Sequence, residues 1–306
     1  MSRRFRISTR SECAQSLVLT LVFMFALLGM AALVLDVGSW YRADRKLQAN
    51  ADAAALAGAR ELPDNPGAAR LQAVDYGNRN DGGVAASNVS FPTGGVVPND
   101  TIKVEAERPA PGFFSKIFGL DSVQVRATAV ARTGVLSRAR WAAPIGIDYR
   151  HPMLQCQCWG DPTTLDFDKV GPGAFRLLNI DSSYGGTSPS DLEQWIRTGL
   201  DAFMDKNRWY YSDPGIKPNS SHISNALDFR DETELLFPVY NAVRAQGAGF
   251  EYYVIGWAVF HVTDYEIQGS KNSRLYGWFV DMIWEGVGSE SAGDPDFGAR
   301  TVTLIE

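Results

Sequence analysis

Histidine and cysteine are scarce in this chain. The 306 residues include three histidines and three cysteines. No histidine lies in an H-E-x-x-H spacing, and the sequence contains neither a G-x-S-x-G elbow nor a phosphate-binding P-loop. We therefore expect no catalytic residue, no metal site and no cofactor, and we interpret the chain as something other than an enzyme.

Concentrated positive charge is also lacking. The formal net charge is −6, and residues 141–306 carry 12 basic and 23 acidic side chains. Binding to nucleic acid needs a concentrated basic face. The sequence therefore predicts no nucleic-acid partner.

A long uncharged segment lies near the N-terminus. Between Glu12 and Asp36 there are 23 residues without a charge. As a helix they would span roughly 34 Å, and a bilayer core is about 30 Å thick. We predict a transmembrane helix over residues 16–37, whose lipid-facing anchor includes Leu17, Leu21, Phe23, Phe25, Leu28, Leu33 and Leu35.

Two other interpretations of this segment remain open. A cleaved signal peptide also has a basic flank, but its apolar region is about 7–15 residues and a cleavage site follows. A buried helix of a soluble protein is the other. Residues 1–15 carry a net charge of +3 and residues 36–50 a net +1. This bias predicts a cytoplasmic N-terminus and a single pass through the membrane, with the C-terminal part outside the cytoplasm.

A change in composition predicts the domain organisation. Residues 38–140 carry 13 basic and 10 acidic side chains, and seven of the eight tryptophans lie beyond residue 140. We predict a basic cytoplasmic tail, a membrane helix, an exported helix with a small β-sheet, and an acidic, aromatic-rich, β-rich domain, over residues 1–15, 16–37, 38–137 and 141–306. The fold class is α+β.

Small residues dominate the segment that follows the apolar run. One helical stripe contains the residues Leu47, Ala51, Ala54 and Gly58. Small residues allow helices to approach closely, so this stripe is a candidate assembly face for other subunits. Alanine is also the best helix former, so the segment could equally be a plain helical spacer.

Period-two patterns predict the strands. In the exported part they cover Ser87–Phe91, Thr101–Glu107 and Ser122–Thr133. In the distal part, Glu251–Thr263 and Leu275–Ile283 form a predicted hairpin, and Arg300–Ile305 is a predicted last strand. Ser188 is a predicted helix cap, followed by a buried stripe of Leu192, Trp195, Ile196, Gly199, Leu200 and Phe203.

The cysteine pair Cys156 and Cys158 lies in the predicted exported part. A disulfide suits an oxidising compartment. Free thiols, a small-ring disulfide, an intermolecular bridge and a metal site with His151 all remain open.

The motif from Leu33 to Arg60 resembles a known family. Its sequence, LVLDVGSWYRADRKLQANADAAALAGAR, is similar to the N-terminal signature of TadE/TadG-like proteins of the Flp (tight adherence) pilus system. Residues 113–132 (FFSKIFGLDSVQVRATAVAR) look like the downstream part of that family. No glycine precedes the apolar run, which departs from the processing site of prepilins.

The resemblance implies a single-pass protein of the cytoplasmic (inner) membrane that is a structural or assembly component of a Flp pilus or a related type IV-like secretion machine, in the manner of a minor pilin. The implied partners are the lipid bilayer and other membrane proteins of the machine, with self-association as a further option. The alternative function is a membrane-tethered, adhesin-like binding domain, for which any anchor would serve.

Overall fold

The computed structural model describes residues 10–93, 95–167, 175–181, 187–212, 221–247, 249–268 and 272–305. Its helices are α1 (Arg10–Ala59), α2 (Pro66–Asn80), α3 (Pro152–Cys156), α4 (Pro189–Thr198) and α5 (Ser221–Phe229), with a 3-10 turn over Ser115–Phe118. Most of the predicted N-terminal tail lies outside the described residues.

The described strands number fourteen. They are β1 (Val84–Ser90), β2 (Thr101–Pro111), β3 (Ser122–Ala139), β4 (Ile145–Asp148), β5 (Thr163–Asp166), β6 (Phe175–Leu177), β7 (Met204–Asp205), β8 (Arg208–Ser212), β9 (Thr233–Gln246), β10 (Gly249–Gln268), β11 (Asn272–Val280), β12 (Met282–Ile283), β13 (Gly286–Gly288) and β14 (Ala299–Leu304). The predicted α+β class is confirmed.

Helix α1 joins the apolar segment to the alanine-rich segment without a break. Good helix formers fill both segments, and two prolines, Pro63 and Pro66, follow the end of the helix. The side chain of Asn65 accepts a hydrogen bond from the Ala68 backbone N–H at 2.9 Å, which caps α2. The two helices then pack side by side.

The first sheet has the strand order β1-β2-β3-β14-β12, and β7 and β13 also pair with β3. Strands β2 and β3 form a regular antiparallel hairpin from Thr101 opposite Arg132 to Pro111 opposite Ser122. The apolar side chains of this sheet that face α1 and α2 make a core with them. The alternation predicted for β3 is confirmed, since Val125, Ala127, Ala129 and Ala131 are buried.

The second sheet has the order β5-β11-β10-β9-β4-β6, with β8 also pairing with β10. The predicted hairpin of β10 and β11 is confirmed by their antiparallel register, although residues 269–271 of its turn lie outside the described residues. A second core fills this half, and its largest fully buried side chains include Trp257, Phe237 and Phe260.

Strand β3 connects the two halves of the chain. Its first part pairs with β2, and its last residues pair with β13 and β7 from the distal half. The C-terminal strand β14 returns to pair with β3. The last strand of the chain therefore pairs with a strand that begins within residues 38–137, and the division at 137–141 stays a prediction.

Two local predictions need correction. Strand β1 covers Val84–Ser90 and so begins three residues before the predicted start. The predicted cap of α4 is present, because Ser188 and Asp191 form a reciprocal capping box. The stripe continues only to Leu200, however, because Gly199 ends the helix with a φ of +77°, and Phe203 beyond it is exposed.

Candidate functional site

The apolar half of α1 projects from the folded part of the chain. It is the one helix of the described residues that is long and apolar enough to cross a membrane, and none of its apolar window is buried. The side chains predicted as the anchor are exposed by 49% to 68%, and they are Leu17, Leu21, Phe23, Phe25, Leu28, Leu33 and Leu35. So much exposed apolar surface on one helix is compatible with a single-pass membrane anchor.

Asp36 marks the end of the apolar half. Its carboxylate accepts hydrogen bonds from three consecutive backbone N–H groups, of Phe113 at 2.8 Å, Phe114 at 3.1 Å and Ser115 at 2.6 Å. Asp36 itself is buried. A buried carboxylate is stable when such donors satisfy it, so this contact fixes the β2–β3 loop against the helix.

The alanine-rich half of α1 is held by two polar side chains. Gln48 donates a hydrogen bond of 2.8 Å to the Thr128 carbonyl of β3. Asn50 donates to the carbonyls of Gly77 and Gly82 at 3.0 Å and 2.8 Å. The Asn50 bonds satisfy carbonyl groups at the C-terminal end of α2, and the Gln48 bond fixes the rotation of α1 on the sheet.

The predicted assembly face lies inside the chain's own core. Leu47, Ala51 and Ala54 have no exposed surface, and they pack with α2 and the first sheet. At Gly58 a Cβ atom would lie 2.6 Å from the Ile102 side chain. The small residues therefore bring α1 close to α2 and the first sheet of the same chain. The prediction that these side chains contact other subunits is wrong.

A buried arginine joins the two ends of the folded chain. Arg300 of β14 donates hydrogen bonds to the carboxylates of Asp64 at 2.6 Å, Asp296 at 2.6 Å and Asp281 at 3.2 Å. Burial alone would lower the pKa of Arg300, but these carboxylates outweigh it and raise the pKa. Burial raises the pKa of Asp281. The cluster ties the C-terminal strand to the segment between α1 and α2.

Cys156 and Cys158, in the predicted exported part, form a disulfide bond. The sulfur atoms of Cys156 and Cys158 are 2.05 Å apart, at the end of α3. Among the residues that the structure describes, no three His, Cys, Asp or Glu side chains are grouped so that they could hold a metal ion.

His151 caps the same short helix. Its Nδ1 accepts a hydrogen bond of 3.2 Å from the Met153 backbone N–H, and its ring packs edge-on against Phe279 with centroids 5.1 Å apart. Burial lowers the pKa of His151 to about 4, against a smaller effect of Asp148. A neutral ring is what this contact requires, because a protonated Nδ1 could not accept a hydrogen bond.

These observations define an α+β protein in which one helix, α1, carries both an exposed apolar segment and a segment packed in the folded part. Residues 15–61 match the model of the Flp pilus-assembly TadE/G-like family. The resemblance predicted from the sequence is confirmed over this segment, which covers the apolar half of α1 and the half that packs on the sheet. No curated protein and no solved structure matches the chain.

Sequence reasoning missed the contacts of Asp36 and Arg300. The sequence presents Asp36 only as the end of the apolar run, although a carboxylate placed there needs a partner once it is covered. It presents Arg300 as part of an ordinary strand. In the sequence, Arg300 lies two residues before Val302 and so on the same face of the strand, and Val302 packs against the first core; that was the available signal.

Proposed function

We propose that this chain is a single-pass component of the cytoplasmic membrane that acts in assembly of a Flp pilus or a related type IV-like secretion machine, as a minor-pilin-like protein. Residues 38–306 lie outside the cytoplasm in this proposal. The observation that carries it is the continuity of α1: the family match spans the apolar half and the packed half of one helix.

This continuity supports an assembly role because it couples the membrane to the folded part. A flexible linker would let an anchored domain move freely. In this chain the helix that would cross the bilayer is also the helix on which the first sheet folds. A force or displacement applied to the membrane helix would therefore reach the sheet directly.

The partners in this proposal are the lipid bilayer and other membrane proteins of the machine, and self-association is included. Since Leu47, Ala51 and Ala54 are buried in the chain itself, the contacts with partners would use the apolar half of α1 and the outer surface of the fold. The proposed role is structural, with no catalytic residue.

Topology can be tested with thiols on each side of the membrane. Cys13 precedes the apolar run and Leu71 is exposed on α2. In a variant carrying Leu71→Cys, Cys156→Ser and Cys158→Ser, a membrane-impermeant maleimide should label position 71 in spheroplasts and Cys13 only after lysis. Labelling of Cys13 alone in intact spheroplasts would show the opposite orientation.

Function can be tested by deletion in the host cell. We expect the deletion strain to lose Flp pili from its surface and to regain them with the full-length chain. An adhesin-like role predicts a different result, in which pili persist and only attachment is lost. Persistence of both pili and secretion would contradict the proposed assembly role.

A further inference from the structure

The β2–β3 hairpin runs alongside α1 toward its apolar half. The Thr128 carbonyl of β3 contacts Gln48 of α1, and the loop beyond the hairpin contacts Asp36. Asp36 lies about 18 Å nearer the N-terminus of the helix than Gln48, at about 1.5 Å per residue. The tip of the hairpin, residues 112–121, therefore reaches the level at which the apolar run ends.

The tip is held at that level. Three backbone N–H groups donate to the Asp36 carboxylate, and at Gly112 a Cβ atom would lie only 3.4 Å from the ring of Trp40. Trp40 is one helical turn beyond Asp36. The loop thus passes from the level of Trp40 to that of Asp36, toward the apolar half of α1.

The side chains of the tip are apolar and uncovered. Phe118 is 87% exposed and Ile117 is 78% exposed, and further exposed apolar side chains surround them: Phe113, Phe114 and Leu120. The surface of a soluble protein seldom has so many large apolar side chains in one short loop. Lys116, also exposed, adds a positive charge among them.

We propose that the tip of the β2–β3 hairpin is a second membrane contact, which inserts Phe113, Ile117 and Phe118 into the bilayer interface beside α1. The proposal rests on the membrane anchoring proposed above. It gives the chain two attachments to one leaflet, and two attachments fix the tilt and rotation of the folded part relative to the membrane.

The bilayer is the occupant that the position of the tip favours. The tip continues the exposed apolar surface of α1, whose last apolar residues, Leu35 and Val37, are also exposed. Tyr41, exposed on the next turn, suits the interfacial belt in which aromatic residues collect. Apolar side chains with an adjacent cation are typical of segments that bind at the interface of anionic membranes.

The test places single nitroxide labels on the full-length chain. Cys13, Cys156 and Cys158 are first replaced by serine, and one cysteine is then introduced as Ile117→Cys, Leu28→Cys or Leu71→Cys. Each labelled protein is reconstituted into nanodiscs of phosphatidylcholine and phosphatidylglycerol. Power-saturation EPR then measures collision with oxygen, which concentrates in lipid, and with a water-soluble nickel chelate.

We expect the label at position 117 to shift toward the lipid-like ratio of oxygen to nickel collisions shown by position 28, and away from the water-like ratio of position 71. A water-like ratio at 117 with a lipid-like ratio at 28 would overturn the second contact and leave the anchor intact. Protection of position 117 from both reagents would also overturn it, because it would indicate a second copy of the chain as the occupant.

A water-like ratio at position 28 would instead contradict the membrane anchor itself. Failure of the proposed anchoring and failure of the second contact are therefore separate outcomes. An additional replacement of Phe118 by aspartate should move position 117 toward the water-like ratio while position 28 stays unchanged.

Discussion

Arg300 donates a 2.6 Å hydrogen bond from its guanidinium to the carboxylate of Asp64, although the two residues are 236 positions apart. Asp64 follows the end of α1 and Arg300 lies in the last strand. Together with Asp281 and Asp296, this contact connects the segment after α1 to the last strand, β14. The fold of the first sheet therefore depends on residues from both ends.

Replacing Arg300 by leucine should destabilise the protein strongly. The substitution leaves the partly buried carboxylates of Asp281 and Asp296 without their cation, and a hydrogen bond to a charged group is worth about 1.5–3 kcal/mol. The measurement is chemical unfolding of the full-length chain in detergent micelles, followed by tryptophan fluorescence.

The control is Arg126→Leu, which removes an ion pair with Glu107 on the exposed face of the same sheet. Surface pairs of this kind contribute about 0–1 kcal/mol, so this variant should unfold close to wild type. Equal stability of the two variants would show that the Arg300 cluster does not hold the ends together.

Gly58→Ala should also lower the free energy of unfolding. The added Cβ would approach the Ile102 side chain to 2.6 Å and the Ala69 carbonyl oxygen to 2.8 Å. Overpacking of this kind costs about 1–3 kcal/mol, which exceeds the gain of up to about 1 kcal/mol from the higher helix propensity of alanine. Thermal unfolding of the reconstituted protein measures the difference.

The matched control lies on the same helix. Gly38→Ala places a Cβ where no atom outside the adjoining helix backbone lies within 4 Å, so it should leave stability unchanged or raise it slightly. If Gly58→Ala leaves the fold intact but removes partner proteins from membrane complexes, the stripe acts between subunits after all.

Much of the architecture follows from local pattern. The uninterrupted helix across the apolar and alanine-rich segments, the alternation of β3 and the cap at Ser188 all depend on neighbouring residues, and each was predictable. The hairpin of β10 and β11 was predictable for the same reason, because its two strands are close in sequence.

The remaining features depend on contacts that pattern does not encode. The stripe of Leu47, Ala51 and Ala54 shows that one face of α1 packs closely, but a stripe is the same whether its neighbour belongs to the chain or to another subunit. The pairing of β14 with β3, and of Arg300 with Asp64, joins segments far apart in the sequence, and periodicity carries no information about such partners.

The bond between Cys156 and Cys158 should contribute little to stability. Its sequence separation is 2, and the chain-entropy model gives about 1.5 kcal/mol or less for so small a loop. In the same unfolding measurement, the double variant Cys156→Ser with Cys158→Ser should therefore fold and lose no more than about 1.5 kcal/mol.

The redox state in the cell can be read from the same cysteines. Denatured full-length protein should react with one maleimide-polyethylene glycol, at Cys13, before reduction and with three after it, since the chain has three cysteines. Three adducts without reductant would mean free thiols in the cell. Covalent dimers that disappear in the double serine variant would mean a bridge between chains.

The last prediction concerns pH. Burial lowers the pKa of His151 to about 4, whereas an unfolded histidine titrates near about 6.5. Between these values the unfolded chain binds a proton that the folded chain does not, so falling pH favours unfolding. The stabilising effect of a neutral His151 is complete above about pH 6.5 and is lost as the pH falls toward 4.

His151→Asn isolates this effect, because asparagine still caps a helix and does not titrate. The variant loses the contact with Phe279, which lowers its stability by an amount that does not depend on pH. Carboxylates such as Asp148 titrate in both proteins. The wild type should therefore lose its advantage over His151→Asn as unfolding is measured from pH 7 down to pH 4, and a constant difference across that range would show that His151 is not held neutral by the fold.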